Sequence, residues 1–411
     1  MSESAGTLHG QLQRGLGRAA RRAAGKPGAG EYVYDCVRRD PRWDWQCESR
    51  SLYYARLMVD LELPVGPLAE HLFDPADHAD EDDRRVGLTL RVLAEMVRLS
   101  RREAAAVLRD YAEDGMHWYD ALNALVDAGD PALTAGLDEL VVARCDEPAL
   151  ESLVAGPRNP VIESWAARQP QIAAAVRRQR TRPPMRRPAS QATDRSAFTD
   201  AELLRLARGG DDAALSALFE LGRRRAPALL ELADELLPQQ PGRWRSALFR
   251  PLTDFGPAAL PYARVWATTD DGRAPMGMHI LAAHGTRQDI PILMKELTET
   301  MEEGYWRGAA DPIEGLGRLR AGEAVPLLKT AWTETPYAHL RPRVLTALIR
   351  TAPHTAEAYA VEGLWDCQSG AREIAAGSAP LTDDTRIRLQ RLEHDAAEEP
   401  EVRAAAAARA I

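Results

Sequence analysis

Apolar residues recur every three or four positions along almost the whole chain. Val86, Leu90, Leu93 and Val97 fall on one stripe of a helix over 84–100, because 3.6 residues make one turn. Ala104, Val107, Leu108 and Tyr111 repeat the pattern over 101–114, and Leu203, Leu206, Leu215, Leu218, Leu229, Leu232 and Leu236 continue it further on. Alternating runs rich in Val, Ile and Thr are nearly absent, so strands are not expected. The helical stretches break at Gly129-Asp130-Pro131, Gly156-Pro157, Gly256-Pro257 and Asp311-Pro312. Proline fits the first turn of a helix, so these breaks read as short corners between helices. The pattern predicts an all-α chain.

The second half repeats itself. An Arg stands near the start of each of a series of similar segments, at Arg245, Arg273, Arg307, Arg343, Arg372 and Arg403, with spacings of 28, 34, 36, 29 and 31 residues. Pro261, Pro291 and Pro326 occupy matching points, each near the start of the next helix. A period of this length with two helices per unit is expected of an α-solenoid. In such a stack each repeat touches only its neighbours, so these arginines are expected to pair with acids or carbonyls of an adjacent helix.

The segment from Arg307 to Leu328 carries an Arg, small residues, Leu316-Gly317-Arg318-Leu319 and then Ala324-Val325-Pro326-Leu327-Leu328. It resembles a HEAT or HEAT-like repeat. Glu399-Pro400-Glu401-Val402-Arg403 resembles the acidic opening of the same repeats. The resemblance runs from about 201 to the end of the chain and extends more loosely over 84–146. It implies a right-handed α-solenoid of helical hairpins, in two halves. It carries little about activity, since function lives in sites and not in folds. Most members of that superfamily are binding scaffolds. A few bacterial relatives are enzymes, namely the HEAT-like alkylpurine DNA glycosylases and the bilin lyases.

Three stretches stand outside the repeats. Residues 1–30 form a basic segment with Arg14, Arg18, Arg21, Arg22 and Lys26, ending in a glycine-rich run that reads as a flexible linker. Residues 74–83 are acidic and read as a solvated loop. Residues 181–198 are rich in Pro, Ser and Arg and read as a linker. The expected organisation is therefore a basic segment at 1–30, a capping and HEAT-like region at 31–180, the linker at 181–198 and a repeat region at 199–411.

Composition adds a few exclusions. The chain has 411 residues, 45% apolar and 27% charged, with a net charge of −9. That balance argues against a protein coated in positive charge for nucleic acid. Only three of its 52 basic residues are lysines, leaving 49 arginines. A GC-rich coding sequence produces such an excess; the alternative is selection for bidentate phosphate contacts, which Arg makes better than Lys. No stretch reaches 18 apolar residues, and the first residues lack the apolar segment of a signal peptide, so a cytoplasmic location is expected. Cys36, Cys47, Cys145 and Cys367 lie far apart and read as free thiols.

No metal-ligand spacing, phosphate-binding glycine loop or nucleophile elbow is present, and no cofactor is expected. His279 and His284 are five apart and so face different ways on a helix. The most unusual segment is Asp40–Leu57, where Trp43, Trp45, Tyr53 and Tyr54 stand beside Arg42, Asp44, Glu48, Arg50 and Arg56. It reads either as a recognition surface or as a cap sealing an open end. The expected division puts Trp43 and Tyr53 in a cap, and leaves Trp45, Tyr54 and Arg56 as candidate partner contacts. A second cluster, Arg177, Arg178, Arg180, Arg182, Arg186 and Arg187, offers phosphate contacts at Arg177, Arg178, Arg186 and Arg187 but has no aromatic residue for stacking. Trp118 with Asp120 and Trp165 with Glu163 offer aromatic–acid neighbours for a glycosylase, but residues two apart point to different helix faces and do not meet that need unaided.

The expected function is therefore recognition of a partner protein by a non-catalytic scaffold, with neither nucleic acid nor membrane as partner. Two other classes remain: a nucleic-acid-acting enzyme of the glycosylase kind, and a regulatory or immunity-type protein that blocks one specific partner.

Overall fold

The structure, a computed structural model, describes residues 3–75, 84–181, 195–209, 212–239 and 241–409, with the backbone alone at 84–85, 212 and 241–245. Residues 76–83 of the acidic run and 182–194 of the Arg/Pro-rich linker lie outside the described residues. Among the described residues there are 26 α-helices and no strand. None of these helices is long and apolar enough to cross a membrane.

The chain divides into two compact units. One comprises residues 1–186, 336–339 and 358–411, and the other 187–335 and 340–357. The division differs from the expected one in two ways. Residues 3–24, expected as a basic segment, form the helices Leu8–Gln13 and Gly17–Ala23 and bury Leu8, Leu12, Leu16, Ala19 and Ala23. Residues 358–411 join the first unit and not the repeats before them. Local contacts explain both. Gly17 packs directly on the Glu362 carbonyl, the Gly15 carbonyl accepts from the Cys367 N–H at 3.0 Å, and Arg18 pairs with Glu362 at 2.8 Å.

In the first unit the helix Arg84–Arg98 is central. It packs against Ala29–Arg39, Ser51–Asp60, Gly66–Phe73, Arg102–Asp114 and Trp118–Asp127. With neighbours on several sides it buries Leu88, Val92 and Met96 as well as the predicted Val86, Leu90 and Leu93, while Val97 is only half-buried. A one-sided stripe describes a surface helix, and this helix is not one.

The helices Ser369–Ser378 and Asp383–His394 both pack on Pro400–Ala407. Just before that last helix, buried Glu398 accepts from Arg372 at 2.6 Å and from Arg56 at 2.9 Å. Burial would raise the Glu398 pKa, but the guanidinium of Arg372, helped by Arg56, outweighs it and holds the group at about 2, against an ordinary 4.5. A depressed carboxylate stabilises the fold above its unfolded pKa and loses that contribution as pH falls through the folded value. Glu398→Gln should therefore be less stable than wild type by roughly 3 kcal/mol near neutral pH. The gap should close between about pH 4.5 and pH 2, as the wild-type carboxyl takes up its proton. Urea denaturation of both proteins across that window checks it; a gap independent of pH would show the group is not held ionised.

In the second unit the helices Asp212–Arg224, Pro241–Thr253, Ala274–His284, Ala310–Leu319 and Arg341–Thr351 pack side by side in that order. Leu260–Trp266, Ile290–Glu302 and Val325–Glu334 lie against the third, fourth and fifth of them in turn. Each of these three starts after a 3-10 turn, with Pro261, Pro291 or Pro326 in its first turn, at the places the sequence repeat assigned them. The side-by-side helices meet at small residues: a Cβ on Gly315 or Gly317 would come within 2.9 or 2.7 Å of the Ala282 and Ala347 Cα atoms.

Three of the repeat arginines tie helices together, and the Arg245 side chain lies outside the described residues. Arg273 pairs with Asp234 at 2.9 Å and Arg343 with Glu314 at 2.6 Å. In the first unit Arg372 adds the carbonyls of Asp366 and Cys367 to its pairing with Glu398. Arg307 is exposed. In its segment Arg318 makes the tie, donating to the Ala282 and Gly285 carbonyls at 2.8 and 2.6 Å. Those are end carbonyls of the helix Ala274–His284, which a cation satisfies well.

Candidate functional site

The segment Asp40–Leu57 splits between core and surface. Residues 40–50 form an irregular loop, and the helix Ser51–Asp60 follows. The loop is held by a buried ion pair: Arg50 donates to Glu48 at 2.9 Å, with both side chains fully enclosed. Burial works against the Arg50 charge, yet the Glu48 carboxylate outweighs it and raises the guanidinium above its ordinary pKa. The second Glu48 oxygen accepts from the Asp44 N–H at 2.8 Å, and the first also accepts from the Ala338 N–H at 2.7 Å. Arg50 in turn donates to the Pro336 carbonyl at 2.7 Å. The pair thus clamps the loop to residues 336–338.

Placement departs from expectation at three residues. Tyr54, expected on the surface, is 0% exposed; its hydroxyl donates to the Leu12 carbonyl at 3.1 Å. Tyr53 beside it is buried as expected and donates to Leu16 at 3.0 Å. Adjacent helical positions point about 100° apart, so both can be buried only because packing wraps two sides of the helix. Arg56 is no free contact either, since it pairs with Asp395 and Glu398. Trp43, expected in the core, is 37% exposed and leans on Tyr337 with ring centres 4.9 Å apart. Trp45 stands outside, 48% exposed.

Trp45 borders a groove of about 570 Å³. Its walls come from the helices Arg84–Arg98 and Trp118–Asp127, from the loop at Arg42 and Ser49, and from Ser51 at the start of the following helix. One wall carries Arg91 and Arg98, the other Asp120, Asn123 and Asp127. Arg98 is neutralised by Glu95 at 2.9 Å, and Arg42 donates to Asp40 at 2.7 Å. Burial pushes the Glu95 pKa up against the pull of Arg98. Asp120 and Asp127 have no ion-pair partner among the described residues. The groove therefore offers an aromatic edge, a flank of Leu90, Ala94 and Ala124, and two carboxylates without an ion-pair partner opposite a helix that carries Arg91 and the Arg98–Glu95 pair.

Comparison with protein-family models, with curated proteins and with solved structures finds no match to this chain. The HEAT-like reading therefore rests on the repeated residues themselves.

The other sequence candidates are not assembled into a site. Arg177 is exposed, and Arg178 pairs with Glu147 at 3.0 Å. Arg186 and Arg187 lie outside the described residues. Trp165 is fully buried and cannot stack on a base, while Glu163 pairs with Arg180 at 3.3 Å. Asp120 reaches the groove, but the Trp118 ring sits under Arg144 at 5.5 Å and does not line it. Sequence reasoning passed over Arg91, Asn123 and Asp127, and took Asp120 only as a neighbour of Trp118. Their only signal is the spacing of Asp120, Asn123 and Asp127 on one helical face, which every solvated helix shows.

Proposed function

We propose that this chain is a non-catalytic recognition scaffold, a right-handed HEAT-type solenoid in its repeat region, that binds a partner protein in the groove beside Trp45. The observation that carries the reading is the make-up of that groove. It joins a half-exposed Trp to an apolar flank and to charges of both signs on opposite walls. Aromatic anchors flanked by polar rims are where protein interfaces concentrate their binding energy. Supporting the scaffold reading, five helices of the second unit follow one another side by side, and partner helices pack on the last three.

Trp45→Ala and Asp120→Ala test the reading together. Both side chains are exposed, so each variant should keep its stability within about 1 kcal/mol. Affinity capture from the native host, read by mass spectrometry, should recover a stoichiometric protein with the wild type and lose it with Trp45→Ala, which removes about 2 kcal/mol or more of binding. Retention of the same protein by both variants would refute the groove as its site. Nanomolar binding of duplex DNA at about 150 mM salt would replace the protein partner with nucleic acid, because weak counterion-driven binding does not survive such salt.

A further inference from the structure

Most arginines described above are tied to a carboxylate or a carbonyl. Three that meet around Trp365 pair with no carboxylate among the described residues. Arg388 and Arg391 project from the helix Asp383–His394, three residues apart on one face, and Arg21 comes from Gly17–Ala23. The guanidinium carbons of Arg21 and Arg388 lie 5.0 and 5.2 Å from the Trp365 ring centre. These residues, with Asp384 and Ile387, line a pocket of about 180 Å³. Arg21, Arg388 and Arg391 pair with no carboxylate among the described residues.

Arg388 is the telling group. It is only 9% exposed, yet its one hydrogen bond among the described residues runs from Nε to the Leu364 carbonyl at 3.0 Å. Its two terminal nitrogens have no acceptor there. Burial lowers its pKa, and the nearby charges of Arg56 and Arg372 lower it further, to about 9, against the attraction of Glu398 and Asp60. It remains charged at neutral pH. Glu398 is committed to Arg372 and Arg56. A buried cation with no carboxylate in ion-pair reach among the described residues is costly, and an anion in the pocket would relieve that cost.

The chemistry of the walls selects the anion. Three guanidinium groups against Asp384 leave an excess of two positive charges, which matches a dianion better than a carboxylate. Guanidinium forks bind phosphate oxygens through paired hydrogen bonds. Trp365 and the exposed Ile387 give the pocket an apolar flank, which suits a carbon substituent beside the charged end. We propose that this pocket is a binding site for a phosphate monoester, held by Arg388, Arg391 and Arg21 with its organic part against Trp365 and Ile387. The site is separate from the Trp45 groove, and it stands or falls independently of the partner reading.

Calorimetric titration of the full chain with O-phosphoserine, inorganic phosphate and acetate, at about 150 mM chloride to screen non-specific attraction, tests the assignment. Phosphoserine should bind saturably, at least about tenfold more tightly than acetate, a difference of 1.4 kcal/mol. Arg388→Gln should lose that binding. Because Arg388 is buried and its removal can disturb folding, Arg391→Gln and Arg21→Gln serve as the decisive variants: both are exposed, and each should weaken phosphoserine about tenfold with an unchanged melting curve. Absence of saturable phosphoserine binding would overturn the proposal. So would equal affinity for acetate, or unchanged affinity in both exposed variants. Binding of inorganic phosphate with phosphoserine excluded would overturn the monoester assignment.

Discussion

Glu48→Ala should lower the unfolding free energy by about 3–5 kcal/mol, because it strands the fully enclosed Arg50 charge. The carboxylate does more than neutralise. It accepts from the backbone N–H groups of Asp44 and Ala338, so its loss also leaves two buried donors unpaired. Each such donor costs about 1–3 kcal/mol. The second charge decides how much can be recovered. In a Glu48→Met/Arg50→Met double variant the stranded charge is gone, and buried pairs replaced by apolar residues are often neutral in stability. Here the orphaned N–H groups persist, so the double variant should regain only part of the loss. Chemical denaturation of the two single variants and the double variant, set out as a cycle, measures the coupling. Full recovery would mean that the backbone bonds to Glu48 contribute nothing. A loss below about 1 kcal/mol in Glu48→Ala would mean that the pair is solvated.

Tyr54→Ala should cost about 3–5 kcal/mol, the range for truncating a large buried aromatic. Its ring is fully enclosed and meets Tyr53 edge to face with centres 5.3 Å apart. Tyr54→Phe separates ring from hydroxyl. The Leu12 carbonyl that accepts from Tyr54 also accepts from the Gly15 N–H at 3.0 Å, so it is not orphaned. Removing the hydroxyl should then cost only about 1 kcal/mol. Trp43→Ala should cost less than Tyr54→Ala, roughly 1–2 kcal/mol, because that ring is partly in water and stacks only tilted on Tyr337. Thermal and urea unfolding of the three variants side by side checks the order. Equal losses in Trp43→Ala and Tyr54→Ala would show that the loop is core throughout.

The contrast between these two aromatics shows what kind of information a sequence pattern carries. Both stand in the same charged, aromatic stretch, and nothing within a few residues of either distinguishes them. Helical spacing shows that Tyr53 and Tyr54 point apart. It does not show that the helix Ser51–Asp60 has neighbours on both sides, which is what buries the pair. The same holds for Arg56. As a sequence position it is a helical arginine near tyrosines; in the fold it meets Asp395 and Glu398, more than three hundred residues away.

The helical class and the prolines that open helices were legible in the chain, although Asp311-Pro312, expected as a corner, lies inside the helix Ala310–Leu319. They depend on the period of apolar residues and on the backbone limits of Pro, both of which act within one or two turns. Pro261, Pro291 and Pro326 fall in the first turns of their helices for that reason. What only the tertiary structure decided is which helices share a core and which charges meet. Residues 358–411 join the first unit through Gly15, Gly17 and Arg18, and the Trp45 groove needs two helices and a loop brought together. The cationic pocket joins Arg21 to a helix near residue 390. Local periodicity specifies which face of a helix is apolar. The choice of partner for that face, and the burial that turns an ordinary arginine into a clamp or an unneutralised charge, comes from packing between distant segments.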